Sequence, residues 1–415
     1  MTQDVLDVDV VVVGGGIAGS ALAAQLAGAG RHVLVLEQQV SFRDRVRGET
    51  IVPWGVREVV KLGVEEVLLD AGGRYSTVFV PYDETVDPAT AEATAISFAL
   101  IAPDVGGQLN VGHPEASEAL LAHAGAVGAH VRRGVADIEV TAGAAPEVAW
   151  TEGGVPHRSR CRLVVGADGR TSTVRRQMRI TLEERPAELF GAGLLMRTPD
   201  GLTDVNTFGT EDDNCFLAFP RTDDLTRLYL MVNIARQREF TGPGRTDRFL
   251  ASFRADCFPA SAAYASAEVA GPCGGAPMTD SWTVGPPIVP GAVLIGDSAG
   301  WNDPLIGQGL SIALRDARMV SEILLAEAEW SPAVFDGWVE ERRERMRRLL
   351  VAAHVATRLR CDFTDEGRRR RRRAFDSMFT DPNVLAQVAS ALIGPEAFPI
   401  EAFDDAAVAA TMAMA

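Results

Sequence analysis

Cysteine is scarce in this 415-residue chain, and its cysteines follow no pattern that indicates a bonded framework. They are widely spaced, odd in number and form no C-x-x-C pair: Cys161, Cys215, Cys257, Cys273 and Cys361. Disulfide frameworks and structural zinc sites both depend on closely patterned cysteines. Because the six histidines are scattered as well, we expect neither disulfides nor a metal site.

Lysine is almost absent, since Lys61 is the single lysine among 40 basic residues. The formal net charge is −16, whereas binding to a nucleic-acid backbone depends on clustered lysine and arginine. The one arginine run, residues 368–373, has acidic neighbours and no interleaved aromatic residues, which is typical of a solvated or intersubunit helix face. No nucleic-acid partner is expected.

Long apolar runs are missing too. No segment reaches the ~18 apolar residues that suggest a membrane-spanning helix. The first residues include Asp4, Asp7 and Asp9 in place of a basic flank followed by an apolar stretch. We therefore expect a cytoplasmic protein without a membrane span, and the chain is long enough for two interlocked domains around a large core.

The most informative pattern begins with a β-branched run, residues 10–13, which leads into Gly14-Gly15-Gly16-Ile17-Ala18-Gly19. A helix rich in small residues and a second apolar strand follow. In this G-x-G-x-x-G pattern, Gly14 makes the tight turn, Gly16 lets the backbone approach a pyrophosphate, and Gly19 lets the helix pack on the strand. The free N–H groups at the start of the helix, near Ile17 and Ala18, attract phosphate.

An acidic residue, Glu37, ends the second strand and is followed by Gln38. At this place a carboxylate can accept hydrogen bonds from the ribose hydroxyls of an adenosine. The strand, helix, second strand and acid together predict that an ADP moiety binds here. They do not distinguish NAD from FAD.

Two later strands also end in short motifs that combine glycine with aspartate. Residues 163–166 lead to Asp168-Gly169, and residues 292–295 lead to Gly296-Asp297. Pro304 and the turn Gly307-Gln308-Gly309-Leu310 come after the second of these.

The order of these motifs resembles FAD-dependent monooxygenases of the para-hydroxybenzoate hydroxylase (class A) superfamily. The resemblance implies that Asp297 binds a ribitol hydroxyl and that Asp168 and Gly169 lie near FAD or its pyrophosphate. It also places the N–H groups of Gly309 and Leu310 at the pyrimidine ring, where a helix dipole favours the anionic reduced flavin.

Two local stretches resemble particular branches of the fold. Arg45-Val46-Arg47-Gly48-Glu49 is similar to squalene epoxidases, which implies that Arg45 contacts FAD; a solvated loop charge is the alternative. By the same resemblance His113 would be a flavin-side ligand, with a helix cap as the alternative, and Val135 an adenine contact. The residues Ala299-Gly300 and Asp303-Pro304 resemble geranylgeranyl reductases, which keeps reduction open beside hydroxylation.

A serine-hydrolase pattern, Gly296-x-Ser298-x-Gly300, overlaps the last glycine–aspartate motif. A nucleophile elbow needs a sharp turn from strand to helix and a later acid and histidine. Here Pro304 follows closely and disfavours helical backbone just before it, and His354 is the single later histidine. We expect Ser298 to be a turn residue.

The predicted fold class is α/β. A Rossmann-like FAD-binding domain of the glutathione-reductase type (1–74, 104–186 and 286–330) interlocks with an antiparallel-sheet substrate domain (75–103 and 187–285), and a helical segment (331–415) ends the chain. Strands are expected at 75–80, 95–101, 189–196, 214–219 and 227–233. In the family this sheet covers the flavin, so Phe216, Phe219, Tyr229 and Met231 are candidate lining residues, with plain core as the alternative.

The resemblance implies that NAD(P)H reduces the flavin, that O₂ adds at flavin C4a as a hydroperoxide, and that a small aromatic or hydrophobic substrate is hydroxylated or epoxidised. The sequence contains a single G-x-G-x-x-G pattern and therefore no evident second dinucleotide-binding domain, so NAD(P)H would bind transiently. A separate flavin reductase as the source of electrons is the alternative. The catalytic residues are unknown, with Asp303 a candidate base or a helix cap.

Three rival functions stay open. The protein could be an isoprenoid reductase, a halogenase, although the sequence lacks the Trp-x-Trp-x-Ile-Pro motif of that branch, or a flavin-binding protein without oxygenase activity.

Overall fold

A computed structural model describes residues 5–202, 205–222 and 224–414. Two large sheets and a C-terminal set of helices organise the chain, and its elements mix helices with strands throughout. The α/β fold class predicted from the motifs is confirmed. None of the described helices is both long enough and apolar enough to cross a membrane.

The first large sheet carries the glycine-rich turn. Its six strands lie in the order Ile288–Val289, Ala292–Leu294, Leu163–Gly166, Val10–Val13, Val33–Glu37 and His130–Arg133. All neighbouring pairs are parallel except the edge pair formed by Ile288–Val289 and Ala292–Leu294. Parallel strands place their carboxyl ends at one edge, where ligands bind in sheets of this kind.

This parallel sheet is buried on both faces, which explains its uninterrupted apolar strands. Val10 and Val12 pack against three helices on one face. Val11 and Val13 pack with Trp150 on the other face. The helices are Ile17–Gly28, His113–Ala126 and Gly309–Ala326. The covering sheet has the order Val5–Asp7, Val155–Arg160, Glu147–Glu152 and Val135–Thr141.

Smaller elements complete this half of the molecule. One three-stranded sheet is formed by Thr50–Ile51, Gln108–Asn110 and Arg74–Ser76, and another by Leu182–Glu184, Ser281–Thr283 and Gly300–Trp301. The remaining helices are Pro53–Lys61, Glu65–Asp70 and Thr173–Gln177, with 3₁₀ turns at Gly296–Ala299 and Pro304–Ile306.

The second large sheet has seven strands, in the order Gly274–Met278, Leu189–Arg197, Leu225–Asn233, Asn214–Pro220, Val205–Glu211, Val78–Asp83 and Ile96–Ser97. The predicted strands near 189–196, 214–219 and 227–233 are present. The expected strand at 95–101 is wrong beyond Ser97, because Phe98–Ile101 is helical. The expected strand at 75–80 is divided between two sheets, Arg74–Ser76 and Val78–Asp83.

The two faces of the seven-stranded sheet have different neighbours. On the outer face Phe216, Leu228 and Leu230 pack against a layer of short helices. On the inner face Met231 shares an apolar cluster with Leu305. The short helices are Arg245–Ser252, Ser261–Tyr264 and the 3₁₀ helix Ile234–Phe240, while Pro88–Ala93 lies at the sheet edge.

The C-terminal helices begin with a 3₁₀ turn, Pro332–Phe335, and continue as Asp336–Arg360, Asp365–Ser377, Pro382–Ile393 and Asp405–Met412, with 3₁₀ turns at Pro395–Ala397 and Ile400–Phe403. Thr364 Oγ1 accepts a hydrogen bond from the Gly367 N–H at 3.1 Å. This cap begins the arginine-rich helix Asp365–Ser377.

Candidate cofactor and substrate site

The glycine-rich turn brings the first strand, the first helix and the loop after residue 166 into close contact. Gly14 has φ +103°, and a Cβ there would lie 2.4 Å from the Ala167 carbonyl oxygen. A Cβ on Gly19 would lie 2.0 Å from the Gly14 carbonyl oxygen. A Cβ on Gly16 would have no atom within 4 Å. Gly14 and Gly19 are therefore needed for packing, whereas Gly16 faces open space in front of the helix that begins at Ile17.

Glu37 is buried at the carboxyl end of its strand and fixes the turn. Its Oε2 accepts a hydrogen bond from the Gly15 N–H at 2.8 Å, and its Oε1 accepts one from the Gln39 N–H at 2.7 Å. Gln38 beside it is exposed. Val135 is buried in the core between the two sheets of this half.

The Asp168 carboxylate is occupied by the protein itself. It accepts hydrogen bonds from Ser172 Oγ and from the N–H groups of Thr173 at 2.6 Å and Val174 at 3.1 Å. It therefore binds the first N–H groups of the helix Thr173–Gln177, whose N-cap residue is Ser172. Gly169, with φ +75°, has no atom within 4 Å of a built Cβ, so its backbone is the open part of this motif.

Arg170 and Arg47 lie near Asp297, and Arg45 lies near Arg47. Arg170 Nε lies 3.3 Å from Asp297 Oδ2. Burial lowers the pKa of Arg47, Asp297 opposes this shift, and the charges of Arg170 and Arg45 add to it. Arg45 and Arg47 are nevertheless accessible to solvent. The surroundings of the predicted ribitol partner therefore carry several positive charges.

His113 lies near Arg47 and Asp44. It is the first residue of the helix His113–Ala126, whose cap position is Gly112, so the helix-cap alternative for His113 is wrong. Burial and the charge of Arg47 lower the pKa of His113 to about 4, although Asp44 opposes the shift. The imidazole is therefore neutral at neutral pH.

The turn at 304–310 ends at a second open helix start. Gly307 has φ +65° and no atom within 4 Å of a built Cβ, and a Cβ on Gly309 would meet Asp297 Oδ1 at 4.0 Å. No side chain caps the helix Gly309–Ala326. The side chain of Gln308 points elsewhere: its Oε1 accepts from Trp54 Nε1 at 2.7 Å and its Nε2 donates to the Ala391 carbonyl at 2.9 Å.

These features fit FAD. Two helix starts without side-chain caps offer N–H groups to anionic or carbonyl oxygens. Gly16 and Gly307 leave space where a larger residue would intrude. Glu37 ends one parallel strand and Asp297 lies in the turn after another, where carboxylates can accept hydrogen bonds from sugar hydroxyls. The side chains of Asp168 and Gln308 are engaged within the protein, and both Glu37 oxygens also accept backbone hydrogen bonds.

Asp303 is a cap, which is one of the two roles considered for it. Its Oδ1 accepts from the Leu305 N–H at 2.8 Å, so it caps the turn Pro304–Ile306. Its own N–H donates to Asp280 Oδ1. Burial raises the pKa of Asp303 to about 6, and the neighbouring Asp280 carboxylate adds to the rise. No sequence pattern marked Asp280, which becomes Asp303's neighbour only through strand pairing.

Ser298 is not a nucleophile. Its hydroxyl is fully buried and donates to the carbonyl oxygens of Gly166 at 2.6 Å and Ile295 at 2.7 Å. The serine-hydrolase interpretation is therefore excluded, and Ser298 is the turn residue that we expected.

A buried ionic cluster joins the loop at Arg45–Glu49 to the seven-stranded sheet, and no sequence signal predicted it. Arg227 Nη2 lies 3.0 Å from Glu49 Oε1 and also pairs with Asp44. Arg221 Nη1 lies 3.3 Å from Glu49 Oε1. Tyr229 Oη donates to the Arg47 carbonyl at 2.7 Å. The sheet thus holds the positively charged loop in place.

Among the candidate lining residues, Phe216 is wrong, because it stacks on Phe258 in the outer core at a centroid distance of 5.4 Å. Phe219, Tyr229 and Met231 lie on the inner face, in the cluster that includes Leu305.

The comparisons with known proteins agree with this geometry. Residues 7–353 match the family model described as an FAD binding domain. The chain belongs to this family. It is 28% identical over 350 residues to rifampicin monooxygenase from Streptomyces venezuelae, and the match covers 80% of this chain and 68% of that enzyme. It is 27% identical over 360 residues to a 1H-pyrrole-2-carbonyl-[peptidyl-carrier protein] chlorinase from Pseudomonas fluorescens, with 76% and 75% covered.

Solved structures show the same fold. The p-nitrophenol 4-monooxygenase PnpA from Pseudomonas putida DLL-E4 superimposes with a TM-score of 0.75 at 19% identity, over 94% of this chain and 99% of that one. The family, the fold class and FAD as the cofactor are confirmed. The chain is an FAD-dependent oxidoreductase whose relatives include flavin-dependent monooxygenases.

Proposed function

We propose that this flavoprotein is a monooxygenase that uses O₂ and NAD(P)H to oxygenate a small aromatic or hydrophobic molecule. The observation that carries the proposal is the position of Leu305. It follows Pro304 in the turn expected to face the flavin, and it shares one apolar cluster with Leu217, Met231 and Met278 of the sheet. A substrate in contact with this cluster would lie beside the flavin in surroundings that exclude water.

We infer that FAD is held mainly by backbone groups and acidic side chains. The N–H groups from Gly16 to Gly19 would bind the pyrophosphate, and Glu37 the adenosine ribose. Asp297 would bind a ribitol hydroxyl, and the N–H groups of Gly309 and Leu310 the pyrimidine ring. When bound, FAD supplies the activation of O₂ by electrons from NAD(P)H. Further proposed contacts are Gly14, Ile17, Ala18, Gln38, Arg45, His113, Val135, Asp168, Gly169, Pro304, Gly307 and Gln308.

The protein groups have three tasks in this proposal. The start of the helix Gly309–Ala326 stabilises negative charge on the ring. The apolar cluster positions the substrate. Asp303, whose pKa is about 6, accepts a proton from a substrate hydroxyl at Oδ2, since Oδ1 is engaged by the Leu305 N–H. A carboxylate with this pKa is a suitable general base near neutral pH.

The test is paired measurement of O₂ uptake and NAD(P)H oxidation by the FAD-loaded protein, with and without a panel of aromatic and isoprenoid compounds. Stimulation of both, with an oxygenated product, supports the proposal. Anaerobic NADPH loss with a reduced product would identify the protein as a reductase, and a brominated product in bromide buffer would identify it as a halogenase. Failure to retain any flavin would contradict the whole interpretation.

The source of electrons remains part of the proposal. Direct use of NAD(P)H predicts that the purified protein oxidises it without a second protein, whereas dependence on an added flavin reductase would show that a partner protein supplies the electrons. The domain boundaries and the cytoplasmic location stay predictions.

A further inference from the structure

The loop from Asp44 to Glu49 is held against the inner face of the seven-stranded sheet at both of its ends and in its middle. At the ends, Asp44 and Glu49 both pair with Arg227 of the sheet. In the middle, the Val46 side chain lies over Gly193, where a Cβ would come within 2.3 Å of Val46 Cγ1. The backbone of this loop therefore follows the sheet, and its position depends on sheet residues.

Tyr229 makes a further contact, directly at the residue that carries a guanidinium. Its Oη donates a hydrogen bond to the Arg47 carbonyl oxygen at 2.7 Å. Burial, together with the negative charge of Glu49, raises the pKa of Tyr229 well above its ordinary value, so the hydroxyl keeps its proton and remains a donor at physiological pH. The Tyr229 ring packs edge-on against Phe219 at a centroid distance of 6.0 Å, which restricts the direction of the hydroxyl.

Arg47 is positioned mainly by its backbone. In the part of the chain that the structure describes, no carboxylate lies close enough to form an ion pair with its guanidinium, whereas Arg227 has two such partners. The hydrogen bond from Tyr229 to the Arg47 carbonyl is therefore one of the few contacts that can fix where this cation lies.

The charge of Arg47 acts on residues of the proposed flavin site. Burial lowers the pKa of Arg47, and the Asp297 carboxylate opposes this shift. Burial also lowers the pKa of His113, and the charge of Arg47 adds to that shift. Arg47 thus lies near both His113 and the predicted ribitol partner Asp297.

We propose that Tyr229 is a positioning residue for Arg47, and that Arg47 placed in this way raises the reduction potential of bound FAD. This role rests on the proposed function only in that it places the flavin beside Asp297, and it does not depend on the oxygenase reaction. A positive charge held near the ring favours the anionic reduced flavin over the oxidised form. One hydroxyl of the sheet thereby controls a property of the cofactor.

The test measures the reduction potential of the FAD-loaded protein by equilibration with a reference dye, without any substrate. Tyr229→Phe keeps the ring and removes the hydroxyl. We expect the affinity for reduced flavin, relative to oxidised flavin, to fall several-fold to about tenfold. A tenfold fall corresponds to a potential lower by about 30 mV for a two-electron couple.

The matched control is Tyr82→Phe. It also removes one tyrosine hydroxyl, which donates to Glu92 at 2.9 Å, but it does so in the outer core. Because this site is independent of the loop, the relative affinity for the two flavin forms should change by less than about twofold.

Arg47→Gln distinguishes a positioning role from a general loosening of the site. Loss of the guanidinium should lower the potential at least as much as Tyr229→Phe does. When Tyr229→Phe is added to Arg47→Gln, the further change should be less than about twofold, because the group that the hydroxyl positions is already absent. A purely structural role of Tyr229 would instead give additive changes.

An unchanged potential in Tyr229→Phe, or additive effects in the double variant, would overturn the proposal. Arg47 is an exposed loop residue, so Arg47→Gln tests the proposal even where Tyr229→Phe folds poorly. An unchanged potential in Arg47→Gln would overturn it as well.

The potential is measured without turnover, so the two proposals can fail separately. If the potential falls as expected but no compound stimulates O₂ uptake, the role of Tyr229 stands and the oxygenase proposal fails. If O₂ uptake is stimulated but the potential is the same in all variants, the oxygenase proposal stands and the role of Tyr229 fails.

Discussion

The Glu37 carboxylate lies 2.8 Å from the backbone nitrogen of Gly15, so the acid that ends the second strand also fixes the turn that begins the first helix. The contact joins the two parts of the predicted ADP site directly. A cofactor contact at the ribose would then be coupled to the geometry of the pyrophosphate turn.

Replacing Glu37 by alanine should therefore weaken FAD binding by about tenfold or more, because a hydrogen bond to a charged group contributes roughly 1.5–3 kcal/mol. The dissociation constant of FAD, followed by flavin fluorescence, measures the effect. Glu139→Ala, at an exposed strand residue, is the control and should leave the constant unchanged. An unchanged constant for Glu37→Ala would contradict the assigned role.

Asp316 should be among the most important charges for stability. Its buried carboxylate accepts from the Gly296 N–H at 2.9 Å and pairs with Arg342 at 2.9 Å and Arg345 at 2.7 Å. Removal of one partner of a buried ion pair typically costs about 3–5 kcal/mol. We expect a loss of that size for Asp316→Ala in urea unfolding.

The control for Asp316 is the exposed pair of Glu340 and Arg343, whose atoms lie 2.7 Å apart with more than half of each side chain in solvent. Glu340→Ala should change the free energy of unfolding by less than about 1 kcal/mol. Similar losses for both variants would show that burial does not decide the contribution of these ion pairs.

The free energy of unfolding should depend on pH through the ionisation of Asp303. Its pKa is about 6 in the folded protein and 3.8 ordinarily, so the folded state binds this proton more tightly. The stabilisation by the bound proton is full below about pH 4 and is lost as the pH rises to about 6. Asp303→Asn should therefore stabilise the protein more at pH 8 than at pH 5, by about 1 kcal/mol.

Urea unfolding of both proteins at the two pH values checks this expectation, with Asp200→Asn, at an exposed residue, as the control. An equal effect of Asp303→Asn at both pH values would mean that the pKa is not raised. If Asp303 also acts as the base, the variant should lose the inflection near pH 6 in kcat/KM for a phenolic substrate.

The loop that carries Arg45 and Arg47 depends on a glycine in the sheet. A Cβ on Gly193 would lie 2.3 Å from Val46 Cγ1, and Val46 has φ +54°, which is rare for a β-branched residue. Gly193→Ala should displace the loop and weaken FAD binding several-fold. Val46→Gly in the same chain removes both the clash and the positive φ of a valine, so it should restore the affinity.

The measured quantity is again the FAD dissociation constant. Gly191→Ala is the matched control, since a Cβ there would lie 3.0 Å from the flexible Met278 side chain and no closer than 4.0 Å to backbone, at the Ala276 carbonyl oxygen. Normal affinity in Gly193→Ala would exclude the loop from the cofactor site. If Val46→Gly does not restore the FAD affinity of Gly193→Ala, the loss of affinity arises from a change in the sheet and not from the clash with Val46.

Local patterns were sufficient to predict the parallel sheet and the glycine turns. Gly14 and Gly19 have fixed steric tasks at a fixed spacing, and Val10–Val13 is apolar throughout because both of its faces are buried. These features depend on neighbours close in sequence, or on burial alone, and can therefore be predicted from the sequence pattern.

Features that depend on distant partners could not be predicted. Arg227 and Glu49 are far apart in sequence, as are Asp280 and Asp303, and each pair forms only after strands from different parts of the chain have paired. Phe98–Ile101 is apolar enough for a strand, yet Phe98 is buried in the inner cluster as a helical residue. Tertiary packing overrides local preference there.

The hydrogen bond from Gln308 to the Ala391 carbonyl, together with the 3.0 Å bond from Arg57 Nη1 to the Ile393 carbonyl, limits how this protein can be recombined with its relatives. A chimera that exchanged residues 304–310 but kept the native residues 382–393 would lose this contact if the new turn lacked a matching donor. More than seventy positions separate the two segments in the chain. Designs for new substrates should therefore exchange them together.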